Sequence, residues 1–367
     1  MAKRILFVQY ALAGGGIENF LYSYLTHMDL TKFAFEFVVC GKKIGAMEEK
    51  FERLGCKIHH IVHRHESLRK HILQLHAIIK NGNFDVVHSN QNEKAFLTLC
   101  IANNCKVKTR ILHCHNAFPP ENILQKSMRW LFSKIGMALA THYFACSSDA
   151  GRWLFGNRAV KSGKVYIIKN AIDLSRFRFN LDIRNKTRKE LGLENAWIVG
   201  SVARLDYQKN HALTIQIFKC ILKNKPNAHL LLVGEGELEK EIRAQVKSLG
   251  LSNNVHFLGV RMDVPNLLMA MDVFLLPSLF EGFGIVYIEA QAASLPCIGS
   301  DIPGAKDTVI TPLIKALPLA SIPDKWAETV LSFQNTPRTD ESLLIKKAGF
   351  DIVEQATKLE KFYQQLQ

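Results

Sequence analysis

Several signatures are missing from this 367-residue chain, and each absence excludes a class of protein. No window approaches 18 uninterrupted apolar residues, so no hydropathy-defined spanning helix is expected. The N-terminal run Lys3–Val8 is short, lacks an A-x-A site and leads into Gly14-Gly15-Gly16, which reads as a strand and loop and not as a signal peptide. The eight cysteines include no C-x2-C pair, and several, such as Cys40 and Cys146, sit in apolar runs. They are expected to be free thiols of a reducing cytosol. No G-x-G-x-x-G occurs, which disfavours a dehydrogenase, and no D-x-D triplet occurs. Charged residues make up 22%, and 48% are hydrophobic, so the chain has enough apolar material for a large core and is not disordered.

Positive charge is present in excess, and it is unevenly placed. The formal net charge is +14. Residues 1–180 hold 26 Lys/Arg against 12 Asp/Glu, a net of +14, whereas residues 181–367 hold 21 of each. The first half also holds 11 of the 14 histidines. A basic half joined to a neutral half points to an anionic partner for the first. Nucleic acid is one such partner, but the chain has no aromatic-basic repeat or reader motif.

Short apolar runs alternate with amphipathic stretches, the pattern of parallel sheets covered on both faces. The first set is Ile5–Val8, Phe35–Cys40, Ile58–Val62, Val86–Ser89, Arg110–His113, Tyr143–Cys146 and Val165–Lys169. The pattern restarts with Trp197–Val202, His229–Val233, Val255–Leu258, Val273–Leu276, Pro296–Gly299 and Ala316–Leu319. Between them Leu174–Glu194 is polar and charged, with a short helix expected at Lys186–Leu193, and the domain boundary is placed just before it. The expected domains are therefore residues 1–173 and 174–350, with a last amphipathic helix near 351–367 packing back on the first. In open parallel sheets ligands bind beyond the carboxyl ends of the strands, so the loops there are the places to look for chemistry.

Three loops stand out. Gly14-Gly15-Gly16-Ile17-Glu18 follows the first strand and opens a helix, a place where backbone N–H groups can approach an anion. Arg204 and Lys209 follow the first strand of the second domain and could grip a diphosphate. Glu281-Gly282-Phe283-Gly284-Ile285-Val286-Tyr287-Ile288-Glu289 places a carboxylate at a strand end, a glycine turn, then a second carboxylate inside a helix. Carboxylates suit vicinal sugar hydroxyls, and a helix N-terminus suits phosphate. Elsewhere, His113 and His115 form an H-x-H that could be a metal pair, but no third ligand stands at a suitable spacing, so His115 is read as a loop residue at the site. His59, His60, His63 and His65 are expected to be solvated surface.

These loops together resemble the retaining glycosyltransferases of family 4. The run Glu281–Glu289 is similar to that family's E-x7-E motif, and Gly14–Glu18 to its G-G-x-E loop. Asp85-Val86-Val87-His88, Asn170-Ala171-Ile172-Asp173, the Arg204…Lys209 pair, Val233-Gly234-Glu235-Gly236 and Leu258-Gly259-Val260-Arg261 resemble further landmarks in the family's order, over roughly residues 3–305. After Gly299 the family's pattern is lost. The variant resembles the branch that makes capsule and exopolysaccharide.

The resemblance implies an α/β GT-B fold, two Rossmann-like parallel-sheet domains facing a central cleft. It implies transfer of a sugar from a nucleoside diphosphate sugar, with a uridine diphosphate donor as first choice, to a saccharide or a polyprenyl-diphosphate-linked acceptor. By the same resemblance Arg204 and Lys209 would hold the diphosphate, Glu281 the sugar hydroxyls and Glu289 the ribose. Phe283 and Gly284 would offer N–H groups, Val260 and Arg261 would border the base, and Gly15 and Gly16 would approach the phosphate. His115 would lie beside the reacting carbon. No cofactor and no metal are expected, since D-x-D, the metal-diphosphate device of the other large glycosyltransferase fold, is absent. The basic first half would meet the acceptor at the inner face of the cell membrane, and the basic-aromatic stretch Asn122–Ala140 is the candidate contact, with an ordinary core helix as its alternative. A sugar-nucleotide 2-epimerase shares the fold but lacks the E-x7-E pattern.

Overall fold

In a computed structural model, residues 2–115 and 122–366 are described, and they form two compact units. The first runs to Ala171 and takes back the C-terminal segment from Ile352; the second is Ile172–Asp351.

The first unit is a seven-stranded parallel sheet of β1 (Lys3–Val8), β2 (Phe33–Cys40), β3 (Lys57–Ile61), β4 (Val86–Ser89), β5 (Thr109–Cys114), β6 (His142–Ala145) and β7 (Val165–Ile167), in the order β3-β2-β1-β4-β5-β6-β7. The central strands are near-continuous apolar runs because helices cover both faces. Phe7 stacks between Phe35 and Phe37 on one face, while Leu6, Val8 and Val87 pack on the other. The C-terminal helix Ile352–Gln365 belongs to this core through Ile352, Ala356, Leu359 and Tyr363.

The second unit is a six-stranded parallel sheet of β8 (Trp197–Val202), β9 (Ala228–Val233), β10 (Val255–Phe257), β11 (Val273–Leu276), β12 (Cys297–Ser300) and β13 (Ile314–Leu317), in the order β10-β9-β8-β11-β12-β13. β13 lies two residues earlier than the predicted Ala316–Leu319, because Pro318 has no N–H to extend the ladder.

Leu174–Glu194, expected at the start of the second domain, forms helices Leu174–Phe177 and Leu181–Glu190, which pack into the second unit; the latter begins and ends earlier than the expected Lys186–Leu193. Arg184 and Arg188, read only as polar, converge on Asp272 at 2.5 and 2.6 Å. They also donate to the carbonyls of Met269, Ala270 and Met271 at the end of helix Val264–Ala270, where a cation meets the negative end of the helix dipole. One expectation needs correction: His59, expected to be solvated, is part-buried and bonds Glu36 at 2.7 Å, whereas His60 is exposed as expected and bonds Glu48 at 2.9 Å. Glu36 and Glu48 are buried, which is why they recruit these rings.

Removing Asp272 leaves two largely buried guanidiniums without their carboxylate. Asp272→Ala should destabilise the second unit by about 3 kcal/mol, measured by urea unfolding.

Candidate functional site

In the second unit, the loops after β8, β9 and β11 meet at the carboxyl end of the sheet. Glycine makes this possible. A Cβ on Gly234, whose φ is +131°, would lie 2.1 Å from the carbonyl oxygen of Ala203, and one on Gly236 would lie 2.3 Å from that of Leu205. The β9 loop therefore rests backbone to backbone on the Arg204–Lys209 loop, with Leu205 N–H donating to Glu235 O at 2.9 Å.

That loop ends in one 3-10 turn, Tyr207–Lys209, capped by the Asp206 side chain, which accepts from Lys209 N–H at 3.2 Å. The cap aims Lys209 at Glu281, 72 residues away. Lys209 Nζ lies 2.7 and 2.9 Å from the two carboxylate oxygens. The side chains are 15% and 4% exposed. Ser278 Oγ donates to Glu281 Oε1 at 2.6 Å, and Gln208 Nε2 donates to the Phe280 carbonyl at 2.9 Å. Ser278 and Gln208 had no place in the motif reading. Their signal in the sequence is only adjacency, three residues before Glu281 and one before Lys209.

Arg204 does not join this pair. Its side chain is 75% exposed and bonds Asp206 at 3.0 Å. Arg261 is held by Asp263 through two bonds of 2.7 and 2.6 Å, and Val260 beside it is exposed. Gly284 adopts φ +71° and caps helix Ile285–Ala292. The N–H groups of Phe283 and Gly284 donate to nothing among the described residues. Glu289, in the second turn of that helix, is half-buried, and burial pushes its carboxyl up to about 7, with Arg176 opposing.

The first unit carries the other candidates. Gly15 caps helix Gly16–Leu25. The Glu18 carboxylate folds back on this loop, 2.8 Å from where a Gly15 Cβ would be, while the space over Gly16 is open. Burial raises the Glu18 pKa, and the N–H groups of Glu18 and Gly15 oppose that rise.

His115, just after β5, is buried. Its Nε2 pairs with Asn90 Oδ1 at 2.8 Å, and its backbone N–H donates to Asn92 Oδ1 at 3.0 Å. Its ring centroid lies 3.9 Å from that of His113, with the two rings tilted by 33°. His113 Nδ1 in turn pairs with His88 Nε2 at 3.0 Å, and His88 Nδ1 with the Tyr363 hydroxyl at 2.8 Å. Sequence reading placed His113 on a strand but missed this chain of rings, because its members come from β4, β5 and the C-terminal helix. Burial pushes the His115 pKa down to about 3 and holds His88 and His113 well below the usual histidine range.

Two Rossmann-like units, each built on a parallel sheet with polar residues at its strand ends, are the units of the GT-B class of fold. Solved structures agree: Anabaena HepE, crystallised with UDP-glucose, superposes with a TM-score of 0.81 at 22% identity, covering 99% of this chain and 100% of that one. Residues 14–176 match the family described as Glycosyltransferase Family 4, and residues 183–343 match Glycosyl transferases group 1. The Bacillus subtilis protein EpsF, described as a glycosyltransferase, is 31% identical over 89% of this chain and 87% of its own length. An Escherichia coli UDP-Gal:alpha-D-GlcNAc-diphosphoundecaprenol galactosyltransferase is 30% identical over 64% of this chain and 62% of its own. The chain belongs to the family 4 glycosyltransferases.

The two units should respond to pH in opposite directions. The neutral histidines bind fewer protons folded than unfolded, so the first unit loses stability as pH falls below about 6.5. Glu289 binds its proton more tightly folded than unfolded, so the second unit loses stability as pH rises from about 4.5 toward 7. Thermal melts across pH 4.5–8 should show Glu289→Gln removing the alkaline-side loss and leaving the acid-side loss unchanged.

Proposed function

We propose that this enzyme transfers a sugar, with retention and without a metal, from a uridine diphosphate sugar to a lipid-linked saccharide during cell-surface polysaccharide synthesis. The observation that carries the reading is the buried Lys209–Glu281 pair beside the two undonated N–H groups of Phe283 and Gly284. A cation, a carboxylate and free N–H groups at one strand end suit a diphosphate joined to a hydroxyl-rich sugar.

In this reading Lys209 moves from Glu281 to the donor diphosphate, joined by Arg204, and Glu281 turns its oxygens to sugar hydroxyls. Glu289 takes the ribose hydroxyls, and Val260 and Arg261 border the base. Gly15 and Gly16 offer the first unit's loop to phosphate. The bond from the anomeric carbon to the diphosphate oxygen breaks as the acceptor oxygen bonds to that carbon. The acceptor proton passes to the departing phosphate, and His115, neutral in its pocket, lies beside the reacting carbon without adding charge. The cations and N–H groups stabilise the leaving diphosphate, which is the main catalytic term and leaves no step for a metal. The Escherichia coli relative's UDP-galactose and diphosphoundecaprenol acceptor, and the UDP-glucose of HepE, support this choice of donor and acceptor.

A thermal-shift screen of UDP- and GDP-sugars should show a UDP-sugar raising the melting temperature most. With that donor, Glu281→Ala and Lys209→Ala should each lower transfer at least about 100-fold while remaining folded by circular dichroism. Transfer at the parental rate by either variant would remove it from the site.

The acceptor half is proposed to lie on an anionic membrane, on its cytoplasmic face. Among the described residues no helix is long and apolar enough to cross one. Helix Ile123–Leu139 buries only Ser133 and Gly136, and leaves Ile123, Leu124, Met128, Trp130, Leu131 and Ile135 exposed beside Lys126 and Lys134. An exposed apolar stripe with flanking cations, on the half that carries the whole net charge, suits anionic headgroups. Flotation with phosphatidylglycerol vesicles should retain the protein at low salt, and Trp130→Ser with Leu131→Ser should release it. Equal flotation with neutral vesicles, or none, would sink the idea.

A further inference from the structure

The last helix, Ile352–Gln365, sends one hydroxyl into the middle of the first sheet. Tyr363 is fully buried, and its Oη lies 2.8 Å from His88 Nδ1 on β4. His88 Nε2 lies 3.0 Å from His113 Nδ1 on β5. His113 Nε2 has no partner. The three groups form a chain of two hydrogen bonds with one loose end. Among the described residues the His113 ring has no hydrogen bond besides the one to His88.

Desolvation keeps every member neutral. It holds both histidines well below their usual range and the phenol well above its own. A neutral imidazole carries one proton, so the chain has two proton arrangements. In the first, the Tyr363 hydroxyl donates to His88 Nδ1, and His88 Nε2–H donates to His113 Nδ1. Only the His113 Nε2–H then lacks a partner. In the second, both bonds run the other way, and the hydroxyl proton and the bare His113 Nε2 are both left over. Buried orphans oppose folding, so the first arrangement prevails. Without the hydroxyl, each arrangement leaves one donor and one acceptor unpaired. The Tyr363 proton is what breaks the tie.

The orientation of His113 matters because His115 rests on it, with ring centroids 3.9 Å apart. Phe20 stands edge-on to both rings, at 5.6 Å from His113 and 5.3 Å from His115. Asn90 Oδ1 holds His115 Nε2 at 2.8 Å. The His115 ring is thus set by Asn90, Phe20 and His113. Of these, His113 is the one whose own setting is passed along from the far end of the polypeptide.

We propose that Tyr363 is a positioning residue for the transfer reaction: its hydroxyl sets the proton arrangement of His88 and His113 and so fixes the ring against which His115 rests. The inference rests on the reading that His115 lies beside the reacting carbon.

The test uses the full chain with 15N-labelled histidine rings. Its rate is read as UDP released, with water as acceptor, from the UDP-sugar that most raises the parent's melting temperature. Ring spectra of the parent should show His88 and His113 both protonated at Nε2. Protonation of either at Nδ1 overturns the proposal before any substitution is made. Tyr363→Phe keeps the ring and removes the hydroxyl. It should show mixed tautomers at both histidines, lower kcat about fivefold to tenfold, and leave KM for the donor within about twofold. Unchanged tautomers or an unchanged kcat in this variant overturns the role. A merely structural contribution would lower the melting temperature alone and leave the ring signals and kcat unmoved. His115→Ala separates the two readings. If it releases UDP at the parental rate, the placement of His115 fails and the positioning role falls with it. If it is slow and Tyr363→Phe is not, the positioning role alone fails.

Discussion

A carboxylate withdrawn from water needs a cation and donors around it, and Glu281 is such a carboxylate. Lys209, Ser278 and Gln208 meet that need, and much of the second unit is arranged so that they can. Asp206 caps the turn that aims Lys209. Gly234 and Gly236 let the neighbouring loop press on that turn. Gly304 lets the short helix Pro303–Lys306 reach the Glu281 carbonyl, since a Cβ there would stand 1.7 Å from its oxygen. The pair is also a store of ready charge. A ligand with an anionic and a hydroxylated end can take one partner each, exchanging the internal salt bridge for two external contacts.

The first unit solves a different problem. Its strand ends hold groups that the fold leaves neutral or unpaired: the rings of His88, His113 and His115, and the amides of Gln9 and Asn90. Desolvation suppresses charge on the rings, so they order one another by hydrogen bonds and tilted ring contacts without Coulomb repulsion. The Tyr363 hydroxyl ends this chain, which ties the last helix of the polypeptide to the centre of the first sheet. Stability is spent at these strand ends, and the large apolar clusters around β1, β2 and β4 offset it.

Much of this was legible in the sequence where the signal is local. Apolar runs gave both parallel sheets, and Gly284 and Glu281 lie within one motif whose turn and helix form as read. Contacts set by long-range packing were not legible. Nothing in Arg184 or Arg188 announces Asp272, more than 80 residues on, so the sequence shows these two only as part of a polar stretch. His59 reads as solvated in the sequence because its partner Glu36 sits on another strand. The orphaned atoms of Gln9 and Asn90 carry no sequence signal at all, since an unpaired amide is defined only by what packing fails to place beside it.

The charge asymmetry gains meaning from where apolar surface is left uncovered. A basic domain alone is a solvated surface. Helix Ile123–Leu139 adds a row of exposed aliphatic and aromatic side chains, with Lys134 5.9 Å from the Trp130 ring centroid. Arg129, by contrast, turns inward onto Trp153, 4.6 Å from that ring, and so anchors the helix to its own unit. One face is thus fixed to the core, and the other combines cations with apolar groups that water disfavours. Charge alone would suit any polyanion. Charge joined to an uncovered apolar stripe is the combination that an interface of headgroups and hydrocarbon would satisfy, and it is this combination, not charge alone, that supports the proposed membrane contact.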